Sequence, residues 1–312
     1  MSDEICSHLT QSCEVVPRAL LSHLNDETVV FEGCKLVSQL ARLPANSNKL
    51  GTAGACDVVM KGLLKHINSV QVAHQGCAAA NRLAYGNFEN VGKLGYHNAC
   101  IGLSSSIKLH YSDENVAEEA LVAINILAVE PENRSKIGAL GGCEGVVNAA
   151  NFHMNKPVIV DYSMRVITQM IVGNANNRSR FGQLGATDTV AAVLQQYTAL
   201  RDQDDASMFA YPEIVQFACT STYSLAAGSP EIQQKLKGLI PLFQALVQAT
   251  IVRPSVTGPP GFPQAHAHTH GHGPGTDTSR SNNTTNSVHE KNEVLRRINK
   301  EATEALQRIT KV

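Results

Sequence analysis

Residues 114–150 read ENVAEEALVAINILAVEPENRSKIGALGGCEGVVNAA, and this stretch decides the fold. Its segment LVAINILA sets small or aliphatic residues at three- and four-residue spacing among strong helix formers, the mark of a helix with a buried face. No alternating strand pattern competes. Ser112-Asp113 stands just ahead, as Asn25-Asp26 does earlier in the chain, and these short polar side chains can accept bonds from the free N–H groups of a helix start. A polar turn follows, then the pattern N-R-x-x-aliphatic-x-x-x-G at Asn133, then a second apolar helix.

The same order recurs along the chain. EGCKLVSQLARL, QGCAAANRLAYG, EEALVAINILAVE, DYSMRVITQMIVG and FACTSTYSLAAG superimpose with Gly33, Gly76, Ala120, Ser163 and Ala218 in register, at steps of 43, 44, 43 and 55. About ten residues after each of the first four comes a second shared element, NSNKLGTAG, NFENVGKLG, NRSKIGALG and NRSRFGQLG. It is aligned here with Gly51, Gly92, Gly138 and Gly182 in register. The fifth copy, EIQQKLKGL, is degenerate. A unit this small cannot bury its own apolar face, so neighbours must stack, and the expectation is an all-α fold, an α-solenoid.

These linked elements resemble the armadillo repeat, over about residues 17 to 250, as roughly five units with a partial one at the start. The resemblance implies three helices per unit and a right-handed superhelix whose concave groove is lined by the third helices. One departure is the glycine at Gly51, Gly92, Gly138 or Gly182, where many armadillo units carry an aliphatic residue or Ala. Gly costs roughly 1 kcal/mol against Ala inside a helix, so the short first helix is expected to be frayed or closely packed.

The groove-facing position implied by the resemblance falls on Ser38, Asn81, Asn125, Thr168 and Tyr223. A side-chain amide there offers a donor and an acceptor to the backbone of an extended peptide. The competing reading has these groups facing water or bonding within the third helix. Arg82 and Arg165 lie beside the row, able either to pair with acidic ligand residues or to pair with neighbouring Glu on a solvated face. In nuclear-import adaptors of the family, groove Trp residues sandwich Lys stems. This chain has no Trp, so recognition of basic nuclear signals is not expected.

Composition narrows the function further. The 312 residues are 43 % hydrophobic with a formal net charge of -1, so no global field draws the chain to nucleic acid or an anionic membrane. No run approaches a membrane span, and the start MSDEICSHLT lacks a secretory pattern. Eight Cys without a CxxC pair read as reduced thiols of the cytosol or nucleus, where the N-x-S/T matches at Asn133, Asn177, Asn282 and Asn283 stay unmodified. Cys34 and Cys77, at one register position, are expected to pack as small hydrophobes, and Leu40, Leu83, Leu127, Met164, Met170 and Leu225 to be core. Enzyme templates such as GxSxG, GxxxxGK[ST] and HExxH are missing, so no catalytic residue, cofactor or metal is assigned.

Three segments lie outside the pattern. RDQDDASMFAYPE, from Arg201, is an expected surface loop in which Asp202, Asp204 and Asp205 lack the Gly and Glu of a calcium loop. Residues 252–287, rich in Pro, Gly, Ser, Thr and Asn, are expected to form a disordered linker to the repeat domain 1–251, with His266, His268, His270 and His272 as an adventitious metal tract. Residues 288–312 are expected to form an amphipathic helix with Leu295, Ile298, Ala302, Ala305, Ile309 and Val312 on one seam. That stripe needs a partner: a homodimer, or docking on the last repeat across a linker reaching some 30 to 36 Å; otherwise the helix frays. The sequence thus reads as a non-enzymatic, cytoplasmic or nuclear scaffold presenting its groove to an extended protein segment. The alternative is a regulator of a small GTPase or similar switch acting by globular contact.

Overall fold

The computed structural model describes residues 10–199, 210–227, 230–250 and 279–310, with side chains of the last helix from Asn292 onward. Among them every element is helical. An incomplete first unit consists of α1 (Ser12–Ser22) and α2 (Glu27–Leu40). Three-helix units follow: α3 (Pro44–Thr52), α4 (Ala55–Lys65) and α5 (Val70–Ala84); α6 (Phe88–Tyr96), α7 (Ala99–His110) and α8 (Glu114–Leu127); α9 (Pro131–Ala139), α10 (Gly142–Phe152) and α11 (Pro157–Ile171); α12 (Ala175–Gln183), α13 (Ala186–Ala199) and α14 (Pro212–Ala226). The last unit has α15 (Pro230–Leu236), a short 3-10 turn and α16 (Ile240–Ala249). The chain ends in α17 (Ser279–Thr310).

Each third helix starts where the sequence offers a cap or a proline. Asp26 accepts from Thr28 and Val29 N–H, Ser69 from Val72 and Asp113 from Val116, whereas α11 and α14 open on Pro157 and Pro212. The apolar face of each unit is closed by its neighbours, and Leu40, Leu83, Leu127, Met164, Met170 and Leu225 are all 0 % exposed. Cys34 and Cys77 are buried in the same core. The third helices α2, α5, α8, α11 and α14 pack each against the next.

The short first helices are closely packed, and the structure corrects their alignment in one unit. The buried asparagines Asn46, Asn90, Asn133 and Asn177 stand at equivalent positions, each five residues before Gly51, Gly95, Gly138 or Gly182. Gly95, and not Gly92, is therefore the partner of the others. The reason is local: the left-handed turn into the second helix is made by Gly54, Gly141 and Gly185 in three units but by Asn98, φ 68°, in the unit where Asn takes the place of Gly. Asn tolerates that conformation better than other side chains, so a glycine-only alignment slipped by three residues.

A second ladder ties the second helices together. His66 Nε2 lies 2.9 Å from Leu24 O, His110 Nε2 2.7 Å from Ile67 O and His153 Nε2 2.9 Å from Tyr111 O, and the Tyr197 hydroxyl donates to Met154 O at 3.0 Å. Each bond reaches back to the loop of the preceding unit. Burial pushes the Tyr197 hydroxyl up to about 12, so it remains a donor at neutral pH.

α17 sits where the last unit needs its third helix. It packs against α14, the third helix before it, and against α16, the second helix of its own unit. Ile298, Ala302, Ala305 and Ile309 are fully buried there. Asn299 Nδ2 donates to Val247 O at 2.9 Å and Thr250 Oγ1 at 3.0 Å, fixing the register. The helix begins at Ser279, nine residues earlier than the sequence places it. Once a helix is nucleated by packing, Ser, Asn and Thr extend it at small cost, whereas Gly and Pro, the last of them at Gly275, do not. The rest of the expected linker, the His tract, Val312 and the acidic loop through Asp205 lie outside the described residues.

Candidate functional site

The row that the resemblance implies runs along the third helices, where Ser38, Asn125, Thr168 and Tyr223 are half-buried and Asn81 is buried. Four of its five members are engaged within the protein. Ser38 Oγ donates to Lys35 O at 2.8 Å, and Asn81 Nδ2 to Glu119 Oε2 on the next third helix at 2.7 Å. Thr168 Oγ1 is 2.9 Å from Ser221 Oγ, again one helix onward. The Tyr223 hydroxyl accepts from Arg308 at 2.8 Å, with the guanidinium 4.0 Å from the ring centroid, so the last row position is held by α17. Asn125 differs: it is half-buried, and its amide makes no hydrogen bond to the described residues.

Of the two arginines, Arg82 is exposed and without an ion pair to the described residues. Arg165 is committed, its Nε donating to Asp161 at 2.8 Å while its guanidinium lies 4.2 Å from the Phe217 ring centroid. The two do not form a basic cluster. Towards the start of α8 the face is acidic: burial first, then Glu119 and Glu114, raises the Glu118 carboxyl above its ordinary value. Burial likewise raises Asp161, against the pull of Arg165.

Beside Asn125 a crevice of about 260 Å³ opens between the end of α5 and the end of α8. Ala84, Tyr85, Phe88, Val91, Ile126 and Val129 wall it, and Glu130 stands at its edge. Tyr85, Phe88 and Val129 are 72 %, 81 % and 52 % exposed, so this rim offers apolar surface to solvent. One unit onward the corresponding space is filled. Arg134, 7 % exposed, donates through Nε to Ala128 O at 3.0 Å, through Nη2 to Val129 O at 3.2 Å and also to Val172 O, while Gln169 Nε2 reaches Ala128 O at 3.2 Å. Sequence reasoning missed both this arginine and the histidine ladder. His66, His110 and His153 carried a readable signal in their spacing, whereas the crevice depends on Val91 standing where the next unit has Arg134.

Among the described residues no group of three or more His, Cys, Asp or Glu could hold a metal ion, and no helix is long and apolar enough to cross a membrane. No protein family and no curated protein matches the chain. Solved structures do. A designed armadillo repeat protein superimposes with a TM-score of 0.60 at 20 % identity, covering 95 % of this chain and 100 % of its own. The chain has an armadillo-like repeat fold. A second designed armadillo repeat protein, solved in complex with the peptide (KR)4, gives 0.56 at 20 % identity over 91 % of this chain and 99 % of its own. An engineered protein gives 0.61 at 17 % identity over 96 % of each chain. Identities this low speak for the armadillo-like fold alone.

Proposed function

We propose that this armadillo-like solenoid is a non-enzymatic scaffold that presents the open face of its third helices to an extended segment of another protein. The observation that supports it is Asn125: unlike Ser38, Asn81, Thr168 and Tyr223 of the same row, its side chain makes no hydrogen bond to the described residues, and it stands beside an apolar crevice. An amide can pair with the backbone of any extended segment while a neighbouring pocket selects a side chain. The peptide-bound designed armadillo protein makes the same use of the fold reasonable. Arg82, beside Asn81, is then available to an acidic ligand residue, while Arg165 is spoken for by Asp161.

Cys34, Cys56, Cys77, Cys100, Cys143 and Cys219 are free and buried, which suits a reducing compartment, cytosolic or nuclear. The formal net charge of -1 argues against nucleic acid as the partner. A homodimer through the α17 seam would require that helix to leave α14 and α16. The test is selection from a random peptide library on the full chain and on Asn125→Ala. Sequences enriched on the parent and lost on the variant support the reading; equal enrichment on both refutes it.

A further inference from the structure

Two donors that close the space behind α8 have no counterpart behind α5. Asn133 and Asn90 occupy equivalent positions, so the residue after each, Arg134 and Val91, is equivalent too. Gln169 of α11 likewise corresponds to Ile126 of α8. Arg134 and Gln169 together satisfy the carbonyls of Ala128, Val129 and Val172. Val91 and Ile126 can donate to nothing. The carbonyl of Ala84, which ends α5 at the negative end of the helix dipole, and that of Tyr85 just beyond it have no side-chain donor among the described residues. Ala84 O accepts from the turn N–H of Asn87 at 3.1 Å, which leaves its second lone pair. Glu130 also lines this space, and its carboxylate has no ion pair to the described residues.

From this juxtaposition we infer that the crevice beside Asn125 is a receptor slot for an arginine side chain of the partner protein. The side chain would take the place that Arg134 takes in the following unit. Its aliphatic stem would lie on Val91, Ile126 and Phe88, and its guanidinium would donate to the Ala84 and Tyr85 carbonyls and to Glu130. The planar fork of five donors suits two carbonyls and a carboxylate at once, which a lysine ammonium on a flexible stem does not. The inference rests on the groove reading above in taking a protein segment as the source of that arginine. The crevice wall is apolar, and the single carboxylate of Glu130 with the two carbonyls after α5 is what would select a cation over a purely apolar anchor.

The slot can be probed without knowing the partner. N-acetyl-arginine N-methylamide is titrated into the full-length ¹⁵N-labelled chain, with the lysine and norleucine analogues as controls. The arginine compound should shift the backbone amides of 84–91 and 125–130 saturably, and bind about tenfold more strongly than norleucine, the difference made by hydrogen bonds to a charged donor. Glu130→Gln should weaken it a few-fold, as expected for a partly exposed charge pair. Val91→Arg should fill the slot from within and abolish the response; if that variant does not fold, Glu130→Gln decides. Equal binding of norleucine, or arginine shifts that fall elsewhere, overturns the inference. Arginine binding at 84–91 combined with library peptides indifferent to Asn125→Ala keeps the slot and discards the groove reading; the reverse pattern does the opposite.

Discussion

Gly138 and Asn177 interlock across the boundary between two units: a Cβ on Gly138 would fall 1.8 Å from Asn177 Oδ1. The asparagine is held there, its Nδ2 donating to Arg134 O at 2.9 Å and Met170 O at 3.1 Å. Gly51 meets Asn90 and Gly95 meets Asn133 in the same way, at 1.8 and 2.4 Å from the side-chain oxygen. The short first helix therefore carries glycine so that the next unit can insert an amide against it, and that amide caps the carbonyls at the end of a third helix.

Gly138→Ala should accordingly destabilise the chain by about 1 to 3 kcal/mol, the usual cost of overpacking, because Asn177 has to give up its bonds to make room. Gly92→Ala is the control. Nothing lies within 4 Å of its Cβ position in the middle of α6, so it should be neutral or stabilise by up to about 1 kcal/mol. Denaturant midpoints of the two variants check both, and a Gly138→Ala midpoint at or above the parent's would contradict the interlock.

The 43-to-44-residue period, the helix caps at Asp26 and Asp113 and the buried face of the third helices were legible in the sequence, because helical spacing and capping are local chemistry. The alignment of Gly92 failed because Asn98 can make a left-handed turn that the sequence advertises only when glycine makes it. The proposed site was half legible. Periodicity put Asn125 and Asn81 in one row, yet whether an amide is free depends on what the neighbouring helix offers, and Glu119 opposite Asn81 is a contact between units. The crevice was invisible for the same reason: it is defined by Val91 and Ile126 lacking what Arg134 and Gln169 supply.

The buried thiols make stability sensitive to alkali. Burial pushes Cys34, Cys56, Cys77 and Cys143 up to about 12 and Cys100 to about 11 from an ordinary value of 9.0, and raises Cys219 as well. The folded state thus keeps protons that the unfolded chain releases above about pH 9. Stability should be flat on the acid side of that value and fall as pH rises through it towards the folded-state values, by about 1.4 kcal/mol per pH unit for each thiol. Urea midpoints between pH 7 and 10.5 report this, and Cys34→Ala with Cys77→Ala should reduce the slope by about a third. A midpoint unchanged through pH 10 would mean that the thiols are not desolvated as the fold requires.

The final helix should behave as part of the last unit. Removing residues 279–312 uncovers the faces of α14 and α16 that α17 buries, and amides of 212–226 and 240–249 should exchange markedly faster while those of α5 and α8 do not change. Arg308→Ala, which deletes the bond and stacking contact with Tyr223, should loosen the same helices by roughly 1 kcal/mol. The full chain should also have a monomer's mass in solution, since its seam is occupied in cis. Exchange in 212–226 indifferent to the truncation would contradict this packing.

If Asn125 serves a ligand while its neighbours serve the fold, affinity and stability come apart in one variant. A peptide selected on the full chain is titrated calorimetrically into the parent and into Asn125→Ala, and both proteins are melted. Binding should weaken by about 1 to 3 kcal/mol, the cost of leaving a buried backbone group of the peptide without its partner, with the melting temperature essentially unchanged. A variant that binds as well as the parent but melts well below it would show Asn125 holding the solenoid together instead of receiving a partner.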